Sequence, residues 1–367
     1  MTNLTSVWRF ADDFTSVPPE ARITLGEGDT PVVRSRRLGP EVGLPNLHFK
    51  LESCNPTGSY KDRFAFCAIS HMVAAGQTRC VATTSGNTGA ALAAYCAAAG
   101  IDCHIAVVET APVGKLQQML AYGARILRVK RFGTDADVTM EVFETLRRIG
   151  QQEDSALQIS AFTYSPLGMR GTRTMAFELA EQFDRPLGHV FTPAGGGGMT
   201  MGIADAFLDW RELGRIDYLP RVECVQPQGN NTIAGPLRDG EDRGQDVVCT
   251  TKISGLQVAS VYDGHDTIRA CRATGGTGHL VSDAFIWEIQ KRLAREEGVF
   301  CEPAGAAATA GALQAAREGI VDPDSIVVTL VSGIGFKDSA SIEVINQDAT
   351  ADALIEPAEL EERIAAD

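Results

Sequence analysis

The sequence has no C-x-x-C pair, no surplus of basic residues, no long apolar run and no nucleotide-type lysine loop. Each absence removes a class of function. Nine cysteines stand at 54, 67, 80, 96, 103, 224, 249, 271 and 301. Without C-x-x-C spacing a zinc ribbon is excluded. An odd count leaves no complete disulfide set, so buried free thiols of a cytoplasmic protein are expected. The formal net charge is −14, which opposes nucleic acid and anionic membrane as partners, because both need a positive field. The opening MTNLTSVWRFADDF lacks the basic start and apolar stretch of a signal peptide. Runs such as ALAAYCAAAG are too short and interrupted to span a bilayer.

What the chain does have is material for a large core. Of 367 residues, 44% are hydrophobic and 22% charged, a globular composition that predicts about two domains. Short β-branched runs alternate with helical patterns. CVATT (80–84) precedes TGAALAAYCAAAG, a helix of small residues closed by Gly100. CHIAVVE (103–109) precedes KLQQMLAYG, RILRVK (125–130) precedes VTMEVFETLRRIG, and HVFTPA (189–194) precedes GMTMGIADAFLDW. RVECVQ (221–226) and VVTLVSG (327–333) read as further strands. Such alternation predicts an α/β fold with parallel sheets covered by helices. Ligands bind such sheets at the carboxyl ends of strands. The glycine clusters at 85–89, 195–198 and 333–335 fall at those ends. The last stretch, ATADALIEPAELEERIAAD, reads as an acidic surface helix or frayed tail.

Residues 55–63 read NPTGSYKDR. Pro56, Gly58 and Ser59 favour a turn, and Phe64, Ala68, Ile69, Met72 and Val73 that follow have helical period, with Gly76 placed to end it. Lys61 then starts an amphipathic helix, where the positive end of the dipole opposes an ammonium. A lysine that forms a carbonyl imine needs its neutral amine. Position alone favours the plainer reading, a surface lysine paired with Asp62.

GGGG at 195–198 lies between a strand and a helix. Four glycines expose backbone N–H groups and admit a phosphate to the helix N-terminus. No Gly-Lys-Ser/Thr follows, and the last glycine of a dinucleotide pattern is Thr200 or Met201, so a monophosphate is expected. SGNTG at 85–89 is a second turn of this kind. It holds a carboxylate by the same logic, or Ser85 or Thr88 merely caps the helix. SGIGFKD at 332–338 supplies Ser332, a neutral hydroxyl after a strand.

Taken together, NPTGSYKDR, TSGNTGA, the glycine loop after TPA, REEGVFCEPAGAA (295–307) and SGIGFKD resemble the threonine synthase family. That family belongs to the pyridoxal-phosphate enzymes of fold type II, with tryptophan synthase β subunits and cysteine synthases. The matches run in the family's order over most of residues 8–340. The resemblance implies two open parallel-sheet domains with the cofactor in the cleft between them. Residues 48–160 would form a smaller N-terminal domain carrying Lys61 and the SGNTG loop. Residues 1–47 and 161–345 would form the larger one, with 346–367 an acidic tail. It implies Lys61 as the imine lysine and general base, Asn87 at the cofactor's 3′ oxygen, and Gly195, Gly196, Gly197, Gly198 and Met199 as the phosphate loop. Ser332 would meet the pyridine nitrogen, and Thr84, Ser85, Gly86 and Thr88 the substrate. The reaction implied converts O-phosphohomoserine and water to threonine and phosphate. A homodimer is implied as well.

The sequence departs from that pattern in places. GGGGM stands where asparagines are common. SPLGMRGTR (165–173) stands where an N-P-Y-R-like segment places an arginine on the substrate phosphate, with Gly168 at the arginine position. Arg170 is expected to take that task, with Arg173 as the alternative, since arginine geometry suits phosphate. Gly89 replaces a small polar residue or alanine, EPAGA is shared with amino-acid dehydratases, and GLQVASVYDGHD (255–266) matches no family segment. Other readings therefore stand beside the first. One is β-replacement or ammonia elimination on serine-derived or diamino acids. Another is a non-catalytic sensor of an amino acid or of pyridoxal phosphate.

Overall fold

The computed structural model describes residues 6–84, 86–111, 113–347 and 354–365. In chain order its strands are β1 (Val32–Arg34), β2 (Leu47–Lys50), β3 (Arg79–Thr83), β4 (Asp102–Val108), β5 (Arg125–Val129), β6 (Ser155–Leu157), β7 (Leu187–Pro193), β8 (Arg221–Pro227), β9 (Gly278–Val281) and β10 (Ile326–Leu330). They form two sheets, one of four strands ordered β5-β4-β3-β6 and one of six ordered β1-β2-β10-β7-β8-β9. Every pairing is parallel except that of β1 with β2 at an edge. The fold is α/β with two parallel-sheet regions flanked by helices, as the alternation of runs predicts.

The central strands carry that prediction because both of their faces are covered. β10, IVVTL, is buried throughout, and β7 is nearly so. Such strands read as continuous apolar runs instead of alternating ones. β1, β2, β6 and β9 have three or four residues each, too few to carry a periodic signal. The boundary expected at residue 48 falls inside β2. Its Leu47 and Phe49 enter the core, and the strand pairs with β10, so it belongs to the six-stranded sheet.

The helix Lys61–Ala74 packs on the helix Asn87–Ala99, whose alanines allow close approach, and Gly100 closes the latter in the left-handed region at φ 68°. The three glycine clusters follow β3, β7 and β10, at carboxyl ends of both sheets. At the C-terminus, the helix Leu360–Ala365 follows a short turn at Pro357–Glu359.

Candidate active site

Lys61 opens its helix as expected. Its Nζ donates to the Tyr60 hydroxyl and to Ser160 Oγ, the latter at 2.9 Å, and lies 4.2 Å from the Tyr60 ring centre. Asp62 is not its partner. That carboxylate turns back to accept from Thr57 N (3.1 Å) and Thr57 Oγ1 (2.9 Å), and burial pushes it up to about 7. The plainer reading of Lys61 as half of a surface ion pair with Asp62 is therefore corrected.

The next residue explains why the lysine cannot drift. Arg63 is fully buried and donates to Glu52 (2.7 and 2.8 Å) and to Glu178 (2.7 Å to each oxygen). Lys50, also fully buried, donates to Glu178 at 2.7 Å. Two cations meet two carboxylates, so the cluster is neutral. Breaking such a pair strands a charge in the interior, which makes the arrangement rigid. It ties β2, the first turn of the Lys61 helix and the helix Thr174–Gln182 together, and Lys61 rides on that knot.

Three turns then converge. The Tyr60 N–H donates to the Ser332 carbonyl at 2.9 Å, and Ser59 bridges Gly333, so Lys61 and Ser332 share a corner although 271 residues separate them in sequence. Asn87, first in its helix, donates Nδ2 to both Glu302 oxygens at 2.9 and 3.2 Å. Glu302 N–H in turn donates to the Gly333 carbonyl at 3.0 Å. A Cβ at Gly333 would lie 2.3 Å from Glu302 Oε1, so a side chain there would displace Glu302.

The loop after β7 fits a phosphate group. Gly197 sits at φ 91°, and a Cβ on it would lie 2.3 Å from Thr267 Oγ1. The helix Gly198–Glu212 starts here. Among the described residues, no protein acceptor takes the N–H groups of Gly196, Gly197, Gly198 or Met199. Unpaired N–H groups at a helix start form an anion cradle, and a Cβ at Gly196 would meet nothing nearer than 3.6 Å, so the cradle is open. The unmatched segment 255–266 builds its wall. Val258 stands against Gly195 and Gly196, and Asp263 accepts from Phe162 N (2.8 Å) and Thr163 N (2.9 Å).

A cleft of about 440 Å³ opens beside these groups, lined in part by Gly86, Asn87, Gln118, Ser254, Glu302 and Lys337. Thr84 Oγ1 accepts from Gly86 N at 3.2 Å, which shapes the turn, and Thr88 follows half-buried on the helix. Gly89 packs against Met119, whose sulfur would lie 2.6 Å from a Cβ. Ser85 lies outside the described residues.

Arg170 is corrected. It is exposed on the turn Arg170–Arg173, and its charge acts on His71 and Cys67. His71 is ten residues beyond Lys61, about 15 Å along the helix. Arg173 pairs with Asp209, away from the lysine. The cause is close packing. A Cβ at Gly168 would lie 2.7 Å from Ala68 Cβ and 2.8 Å from Phe64, and one at Gly171 would lie 1.9 Å from the Arg63 carbonyl oxygen. The segment is pressed onto the Lys61 helix, with Met169 turned toward Ser160 and Gly198 while the charge of Arg170 acts on His71 and Cys67. Among the described residues, the cation that lines the cleft is Lys337, which donates to Gln118 Oε1. Its placement is set by Gly58, whose Cβ would lie 3.3 Å from Lys337 Cε. Tyr60, Ser160, Glu302 and Lys337 are the residues that sequence reasoning missed. Three of them lie inside or beside motifs already singled out, at positions with no distinctive residue type.

A family model described as pyridoxal-phosphate dependent enzyme matches residues 23–333. The chain is 32% identical over 339 residues to threonine synthase of Methanocaldococcus jannaschii, covering 90% of this chain and 80% of that one. It is 30% identical over 364 residues to threonine synthase of Methanosarcina acetivorans, covering 97% and 86%. Among solved structures, the processed form of threonine deaminase isoform 2 from Solanum lycopersicum superimposes with a TM-score of 0.74 at 19% identity, covering 94% of each chain. That likeness is one of fold.

Proposed function

Since the chain belongs to the pyridoxal-phosphate-dependent enzyme family, we propose that it is a lyase of the threonine synthase type, turning O-phosphohomoserine and water into threonine and phosphate. Bound pyridoxal phosphate supplies the electron sink for charge that develops on the amino acid. The chain's residues do the rest. Lys61 would anchor the cofactor covalently, and its amine would be the base that takes the α proton and moves a β proton. A single base for several transfers must be close and well held, and the Tyr60 hydroxyl and Ser160 Oγ hold its amine. The N–H groups of Gly195–Met199 hold the cofactor phosphate. Asn87, steadied by Glu302, would hold the cofactor's ring oxygen, and Ser332 would meet its nitrogen as a neutral partner. The turn of Thr84, Ser85, Gly86 and Thr88 takes the substrate carboxylate at the start of its helix.

The observation that carries this reading is the convergence of Lys61, Asn87 and the Ser332 turn beside an open anion cradle. Lys337 takes the task expected of Arg170, meeting the leaving phosphate across the cleft. A lysine is a point charge without arginine's fork, so it binds phosphate with less geometric selection. The test is phosphate release and threonine formation from O-phosphohomoserine. Lys337→Met should then raise KM at least tenfold with a smaller change in kcat. An unchanged KM rejects that role for Lys337.

One observation favours a second reading. Gly168 stands where the arginine would be and is packed against Phe64 and Ala68, so the site lacks the fork that suits a phosphate. An enzyme that performs β-replacement or ammonia elimination on a serine-derived or diamino acid fits that lack. Turnover of O-acetylserine or a diamino acid, with no phosphate released from O-phosphohomoserine, selects it. A non-catalytic sensor is separated from both by Lys61→Ala, which would leave a sensor's ligand response intact.

A further inference from the structure

Three cysteines converge away from the cleft. Cys80 on β3 and Cys103 on β4 are register partners, and Cys96 reaches them from the Asn87–Ala99 helix, which packs on both strands. All three sulfurs lie within 4.8 Å of one another. Among the described residues, they are the one group of three or more histidine, cysteine, aspartate or glutamate side chains gathered so closely. Cys80 and Cys96 are fully buried, and Cys103 is 8% exposed.

Cysteine is a competent small apolar filler, and packing by itself would explain one such residue under an alanine-rich helix. It does not explain sulfurs from three separate elements meeting at one point. A metal about 2.3 Å from each of three sulfurs in a plane sets them about 4 Å apart, so the cluster needs to contract by less than an ångström. The donors are all sulfur, in an apolar core. Sulfur donors select soft, thiophilic cations and reject magnesium and calcium. Each thiol gives its proton to solvent as its metal–sulfur bond forms, and no oxidant or reductant is needed.

We propose that Cys80, Cys96 and Cys103 form a three-sulfur binding site for one soft, thiophilic metal cation. The site is remote from the reaction. Cys96 lies nine residues beyond Asn87 on the same helix, about 14 Å along its axis. Metal there pins the far end of the helix to β3 and β4 and stabilises the fold by binding only the folded state.

The probe is Cd2+, read by the sulfur-to-cadmium charge-transfer absorbance of the reduced holoenzyme. Cys54 is exposed and Cys249 half-buried, so both are first replaced in C54S/C249S to leave only buried thiols. Titration is carried out on the folded protein and on protein refolded from urea with Cd2+ present, so that access does not decide the result. Expected are one Cd2+ per chain and a rise in Tm of at least about 2 °C. Cys96→Ala suits an alanine-rich helix, and with Cys103→Ser as a second variant it should weaken Cd2+ at least tenfold. The circular dichroism and the cofactor's visible band of these variants should stay as in the parent. A band seen in the wild type but lost in C54S/C249S overturns the proposal, because binding is then confined to the other thiols. So does a Cd2+ affinity that Cys96→Ala and Cys103→Ser leave unchanged.

Discussion

Replacing Asn87 by aspartate reverses one contact and leaves the shape of the site in place. Asn87 Nδ2 donates to both oxygens of Glu302, at 2.9 and 3.2 Å. In N87D a carboxylate oxygen faces that carboxylate instead. Two unit charges about 3 Å apart repel by about 5 kcal/mol at an effective dielectric constant near 20. Losing a hydrogen bond to a charged group costs about 1.5–3 kcal/mol by itself. Relaxation lowers the sum, so a loss of about 2–5 kcal/mol in folding stability is expected at pH 8. The pair escapes by sharing a proton, which raises its folded pKa. The sign follows from that. An acid with a raised folded pKa contributes stability at low pH and loses it as pH rises through that pKa. Urea denaturation at pH 5 and pH 8 should therefore show a small deficit at the first and a large one at the second. N87D/E302Q restores a donor to the pair, with the introduced side-chain amide now donating to the aspartate, and should recover most of the pH-dependent part. A deficit equal at both pH values, or one untouched by the second change, refutes the reasoning.

Two predictions concern the support beneath Lys61. Burial pushes the Asp62 carboxyl up to about 7, against about 3.9 unfolded, so ionising it opposes folding. Wild-type stability should fall by about 4 kcal/mol in total as pH rises through that window, and Asp62→Asn should flatten the slope. An unchanged slope in denaturation at pH 5 and pH 8 would show that another group titrates there. Glu178→Gln should cost about 3–5 kcal/mol, because Arg63 and Lys50 then lie buried with too little negative charge. A change under about 1 kcal/mol by urea denaturation at pH 7 would mean that the cluster relaxes freely. Arg63 and Lys50 hold the Glu178 carboxyl down at about 2 despite its burial, so its support is complete above about pH 4.5 and fades as pH falls toward 2.

Much of the candidate site was legible because it sits at turns. Glycine and small hydroxyl residues mark the turns at the ends of β3, β7 and β10, and Lys61 heads a helix whose apolar period is visible. The central strands were legible as buried runs, with ends misjudged by one to three residues. What was hidden is relational. Glu302 looks like any glutamate until Asn87 is seen donating to it. Lys337 looks like a surface lysine until Gly58 is seen making room for its stem. Arg170 fits a phosphate by residue type, yet Gly168 and Gly171 press its segment against the Lys61 helix. The neutral cluster of Lys50, Glu52, Arg63 and Glu178 joins residues up to 128 positions apart, and no local pattern announces it.

The central claim is that Lys61 carries the cofactor. Borohydride reduction of the holoenzyme, followed by peptide mass mapping, tests it directly. The account predicts a pyridoxyl-phosphate mass increment on the peptide containing Lys61, and no visible cofactor band in Lys61→Ala. An increment on Lys337 or another lysine, or a visible band that survives in Lys61→Ala, would contradict it.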